Sequence, residues 1–104
     1  MNVSDSFQVF LSETPAHAQA WMGAVRGLDE ASALDDKTAE LAYIAVLAAM
    51  RLNSGIPFHV DAAKKLGASR DEVASAILLG LPAVGNAVTQ SLPVALEAYD
   101  ASSE

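Results

Sequence analysis

Cysteine is absent from this chain of 104 residues. That removes disulfides, thiolate nucleophiles and Cys-ligated zinc together. Histidine is scarce: His17 and His59 are the only two. Without H-x-x-x-H spacing they set up no zinc site within one chain, so no metal and no cofactor are expected. Positive charge is short as well. Six Lys and Arg against thirteen Asp and Glu give a formal charge of −7 and a pI near 4.5. This balance disfavours nucleic acid and anionic membranes, both of which are bound through clustered cations. The longest apolar run, residues 41–50, falls far short of the roughly 20 residues a bilayer-crossing helix needs. The first residues, M-N-V-S-D-S-F, have neither a basic n-region nor an apolar h-region, so a soluble cytoplasmic protein is expected. What remains as a partner is a small-molecule substrate, or further copies of the chain.

What the sequence does have is apolar residues, 52% of the total, with only 18% charged. Many of them are alanines, which favour helix because they lose no side-chain entropy there, yet contribute little volume to a core. A domain of this length already buries a limited fraction of its surface, so the composition points toward burial against other copies. Every periodic segment follows the 3.6-residue spacing and none alternates at period two, which predicts a single all-α domain over residues 1–104, a compact bundle of about six helices.

In chain order, Ser4-Asp5-Ser6 caps a short helix over residues 7–11 with an apolar stripe at Phe7, Phe10 and Leu11, expected to dock as an arm. Thr14-Pro15 opens a second helix through a capping hydroxyl and a first-turn proline, with Gly27 as its stop. Trp21, Ala24, Val25 and Leu28 share one face of that helix, and His17 lies on its first turn as an exposed polar residue. Leu34-Asp35-Asp36 caps a long helix running to about Leu52, apolar in nearly every direction and therefore expected to be buried on most sides. Asn53-Ser54-Gly55 turns the chain, Pro57 restarts a helix that closes at Gly67, and Ser69-Arg70-Asp71-Glu72 is an S-x-x-E capping box. The last segment, 83–99, reads as a helix interrupted at Gly85 and broken at Pro93, followed by a frayed tail from Asp100.

The polar interruptions of the long helix are Glu40, Tyr43 and Arg51. Glu40 is either a partly desolvated carboxylate on an apolar helix or an exposed residue complementing the helix dipole. His59, near the start of the next helix, is either an acid–base group, since an imidazole titrates near operating pH, or an ordinary hydrogen-bonded histidine.

Read together, L-D-D-K-T-A-E-L-A-Y-I-A-V-L-A-A-M and F-H-V-D-A-A-K-K-L-G-A-S-R-D-E-V-A-S-A-I-L-L-G-L-P-A-V resemble the carboxymuconolactone decarboxylase domain shared with alkylhydroperoxidase D, over about residues 33–88. The resemblance implies an all-α fold that assembles into homo-oligomers, trimers or hexamers. In the peroxidase branch a C-x-x-C precedes the histidine, and a glutamate joins that histidine in a proton relay. The relay residues fall on Glu40 and His59 and the cysteines on Leu52 and Gly55, so the relay is kept and the thiols are lost. The decarboxylase branch needs no thiols, and its G-L-P-A turn matches residues 80–83, with Asn86 shortly after. It acts on a small dicarboxylate lactone, which implies Arg51 as a cationic anchor, His59 as proton donor, and Tyr43 and Asn86 as substrate-binding residues. Glu40 and His59 are expected to approach from adjacent helices, walled by Tyr43, Leu47 and Phe58. Two functions follow: thiol-independent acid–base chemistry on a small carboxylate, or a non-catalytic oligomeric binding or structural protein on the same scaffold.

Overall fold

The structure is a computed structural model and describes residues 3–102. Seven α-helical segments run α1 (Asp5–Glu13), α2 (Pro15–Ala31), α3 (Asp36–Ala49), α4 (Ile56–Lys65), α5 (Arg70–Leu78), α6 (Leu81–Val84) and α7 (Leu92–Ala101). Short 3₁₀ stretches at Asn53–Gly55 and Gly85–Ser91 join them, and no strand occurs among the described residues. Six of the helices have nine residues or more.

The core lies where α3, α4, α5 and α7 meet. Ile44 and Leu47 from α3, Ile56 and Val60 from α4, Val73 and Ile77 from α5 and Val88 from the second 3₁₀ stretch are buried there with five alanines. Five alanines in a cluster of twelve keep the helices close and the core thin, so the few Ile, Leu and Val residues carry most of the hydrophobic stabilisation, about 1.5–3 kcal/mol each. Lys64 of α4 fastens the end of α7: its ammonium donates to the Tyr99 and Ser102 carbonyls at 2.8 and 3.2 Å and lies 4.4 Å from the centre of the Tyr99 ring. A cation there satisfies carbonyls the helix leaves unpaired.

Several local expectations change in the folded chain. α2 continues through Gly27 to Ala31. The Thr14 hydroxyl donates to the Phe10 carbonyl at 2.7 Å, closing α1 instead of capping α2. α3 stops at Ala49, short of Leu52. Pro93 starts α7 rather than breaking a helix, because a proline in the first turn gives up an N–H that has no intrahelical partner. α7 continues through Asp100 to Ala101, while Ser103 and Glu104 of the expected tail lie outside the described residues. Nor is α3 buried on most sides in the single chain: Ile44 and Ala48 are fully buried, but Val46 and Met50 are more than half exposed. Helical residues from Arg70 to Ala101 meet the length and hydropathy expected of a membrane span, but Gly85 lies at φ 82° within that run, and Val73, Ala76, Ile77, Val88 and Ala95 of the run pack into the core.

Helices α3 and α4 end in the same motif with different residues. After α4, Gly67 at φ 97° lets Ala68 N–H reach the Ala63 carbonyl at 3.0 Å and Gly67 N–H the Lys64 carbonyl at 3.0 Å. After α3, Arg51 takes that left-handed position at φ 59°, with Leu52 N–H on the Leu47 carbonyl at 2.9 Å and Arg51 N–H on the Ala48 carbonyl at 3.1 Å. Glycine is the residue that fits such a position without a Cβ clash. Arg51→Gly is therefore expected to stabilise the fold by about 0.5–1 kcal/mol, read as a higher urea midpoint at unchanged slope.

Three exposed carboxylates are held below their ordinary range. Asp35 accepts from the Thr38 N–H at 2.9 Å and, as a smaller effect, from its hydroxyl at 3.0 Å. Glu72 accepts the Ser69 N–H of the capping box at 2.8 Å and pairs with Lys37 at 3.0 Å. Asp100 accepts a two-pronged bond from Arg70 at 2.8 and 3.0 Å. A carboxylate whose pKa is lowered on folding contributes stability that is complete above its unfolded pKa and is lost as pH falls through the folded one. The urea midpoint is expected to hold steady from neutral pH down to about pH 5 and to fall progressively below about pH 4.

Candidate active site

Glu40 lies in the second turn of α3, whose start is set by Asp35 as N-cap. His59 lies in the first turn of α4, which follows the turn Asn53–Gly55. That turn is anchored by a buried bond that the sequence does not reveal: the Ser91 hydroxyl, fully buried, donates to the Asn53 side-chain carbonyl at 2.6 Å across 38 positions of chain. With the turn so held, and Leu47 within 3.5 Å of where a Cβ on Gly55 would lie, α4 folds back along α3.

The result brings His59 Nδ1 to 2.8 Å from Glu40 Oε1, with both side chains about 25% exposed. The Tyr43 ring, one turn after Glu40, lies against the imidazole with centroids 4.3 Å apart, and Phe58 meets it edge-on at 5.2 Å. With Glu40 ionised, its carboxylate only accepts, which makes Nδ1 the donor of this bond and leaves Nε2 outside it. Two aromatic rings and a carboxylate restrict the imidazole's rotation, which is what a proton-transfer group requires.

None of the other expected site residues hydrogen-bonds to or stacks on the pair. Leu47 belongs to the core rather than to a wall of the pair. Arg51 is exposed beyond the end of α3, eleven residues after Glu40. Asn86 is exposed in the second 3₁₀ stretch, and its backbone carbonyl accepts from the Thr89 hydroxyl at 2.8 Å. Leu52 and Gly55, where the resemblance puts the thiols of the peroxidase branch, flank the Asn53 anchor. Two open grooves elsewhere, of about 690 Å³ between α1 and α2 and about 460 Å³ between α3 and α5, include neither Glu40 nor His59. Among the described residues no group of His, Asp and Glu is arranged to hold a metal ion.

Fold and pair together define a small all-α domain with a carboxylate–imidazole dyad across a helical hairpin. Its sequence places it further: the profile of the carboxymuconolactone decarboxylase family matches residues 15–97, and the chain belongs to that family. The match extends beyond residues 33–88 to take in α2 and most of α7. No curated protein and no solved structure matches the chain.

Proposed function

We propose that this protein is a thiol-independent acid–base enzyme acting on a small carboxylated substrate, in the manner of a decarboxylase. The observation that supports the reading best is the 2.8 Å contact between Glu40 and His59. When a carboxylate leaves as carbon dioxide, the C–C bonding pair stays on the organic fragment and must be delocalised into a conjugated acceptor and then protonated. His59 supplies that proton from Nε2, Glu40 stabilises the imidazolium through Nδ1, and solvent reprotonates the ring, so one proton is consumed per carbon dioxide released. Tyr43 shapes the approach to Nε2, and Arg51 and Asn86 serve as outlying anchors for a negatively charged substrate. The strained conformation of Arg51 favours such a role, since a residue kept where glycine fits better is often kept for its side chain.

The protein is further proposed to be soluble, cytoplasmic and a trimer or hexamer, without nucleic acid, membrane, metal or cofactor. The exposed apolar residues of α3 support an oligomer. The competing reading, a non-catalytic oligomeric scaffold, is favoured by one feature, the exposed leucine at the first thiol position, Leu52. Carbon dioxide release from carboxymuconolactone by the purified protein, above a heat-treated control, tests between the two.

A thiol mechanism is not available to this chain. A thiolate is the nucleophile that opens a hydroperoxide, and Leu52 and Gly55 offer none. Incubation with an organic hydroperoxide and a dithiol reductant is expected to give no turnover above the heat-treated control.

A further inference from the structure

Two apolar surfaces of the chain have no cover in a single copy. One is the outer side of α2, where Trp21, Val25 and Leu28 recur at i, i+4 and i+7 and are 56%, 38% and 71% exposed. The other is the outer face of α3, where Tyr43, Val46 and Met50 recur at i, i+3 and i+7 and are 49%, 56% and 65% exposed. Tyr43 packs on His59, so this second surface borders the Glu40–His59 pair. We infer that α2 of one copy lies along the exposed face of α3 in a second copy, its Trp21–Leu28 stripe roofing the Glu40–His59 pair there. This rests on the oligomer proposed above and adds to it which segment reaches across and that each site is completed by a neighbour.

The pattern of α2 carries the argument first. A helix that faces water on its outer side is polar there. On a 100° wheel the half of α2 turned away from α1 holds Trp21, Val25 and Leu28 beside small residues such as Ala20, Ala24 and Gly27, and His17 is its only polar member. A Cβ built on Gly27 meets nothing within 4 Å, so no packing inside this copy requires a glycine, which costs about 1 kcal/mol in a helix interior relative to alanine. Within the copy α2 packs mainly on α1, held away from the core by an extended connection with ψ 139° at Ser32 and 162° at Asp35.

Size points the same way. Trp21, Val25 and Leu28 on the one face and Tyr43, Val46 and Met50 on the other are each between 38% and 71% exposed. At roughly 100 Å² apiece each stripe presents about 300 Å² of apolar surface, the size of a patch that is often functional. The two helices also match in span: seventeen residues of α2 and fourteen of α3 extend about 25 and 21 Å at 1.5 Å per residue.

Trp21 is the only tryptophan, so its emission reports α2 alone. At micromolar concentration the native protein is expected to sediment as an oligomer with the short-wavelength emission of a buried indole. Met50→Glu, at the exposed C-cap of α3, is expected to move that emission to the wavelength of a hydrated indole and lower the oligomer mass at unchanged helical circular dichroism. Leu28→Glu should do the same from the other side. In the cysteine-free background, mixing full-length Leu28→Cys chains with Met50→Cys chains under mild oxidation is expected to yield a dimer-sized disulfide band. An oligomer whose Trp21 is hydrated, or is unmoved by Met50→Glu, would overturn the docking of α2 and leave the oligomer standing. A monodisperse monomer would overturn both. A double Leu28→Cys, Met50→Cys chain that closes into a monomer-sized cross-linked band at high dilution would show α2 folded onto its own copy and overturn the exchange.

Discussion

His59→Ala is expected to lower carbon dioxide release from a carboxylated lactone by roughly 10²–10⁴-fold, the scale of general acid–base catalysis, with helical content and oligomer mass unchanged. That loss is about 3–5 kcal/mol of barrier. A partly exposed ion pair contributes only about 0–1 kcal/mol to folding, so a large kinetic effect beside a small stability effect separates a proton donor from a structural contact. Glu40→Gln should keep the 2.8 Å contact with His59 in altered form and lose the negative charge. Its rate should fall less than that of His59→Ala, because the donor remains and only the stabilisation of its charged form is lost. Rates within threefold of the native protein for both variants would remove the pair from the mechanism and leave the scaffold reading.

Ile77→Ala is expected to give the largest loss of stability of any single apolar truncation on α5. Ile77 is fully buried on α5, which packs chiefly on α3, α7 and the second 3₁₀ stretch. Truncations of this kind cost about 2–5 kcal/mol, depending on how well the site collapses around the gap. Here many neighbours are alanines, too short to reach into the space, which places the cost in the upper half of that range. Against a typical total of about 5–15 kcal/mol, the variant should melt about 15–25 °C lower by circular dichroism. Leu79→Ala, two residues on and 71% exposed, is the control: it should cost less than about 0.5 kcal/mol within the chain. A shift for Ile77→Ala no larger than for Leu79→Ala would contradict the assigned core.

The fold class was legible because helix formation depends on local pattern. The Asp35 cap, the Ser69–Glu72 box and the Gly67 terminus are contacts between residues a few positions apart, and each is present with the geometry its sequence implies. Local signals misled where two structures compete for one residue. Thr14 serves α1 rather than α2, and Pro93 opens a helix because the 3₁₀ stretch before it had already ended the preceding one. The left-handed position of Arg51 had no signal at all, since the residue type argues against it.

For the site, helical periodicity and family resemblance named Glu40 and His59 from sequence, but neither settled whether they meet. Residues nineteen positions apart come together only if the intervening turn sends α4 back along α3 at the right angle. That angle is held by the Ser91–Asn53 bond and by the packing of Leu47 against Gly55, both long-range or three-dimensional facts. The sequence by itself determined the helices, their caps, the lack of a thiol and the two residues with acid–base chemistry, because these follow from residue type and short-range spacing. Only the tertiary structure decided that the imidazole and carboxylate share a hydrogen bond, that Arg51 takes a left-handed conformation, and that α2 leaves its apolar side uncovered. Those outcomes depend on how rigid helices are oriented by a thin core and a few buried contacts, which no window of sequence encodes.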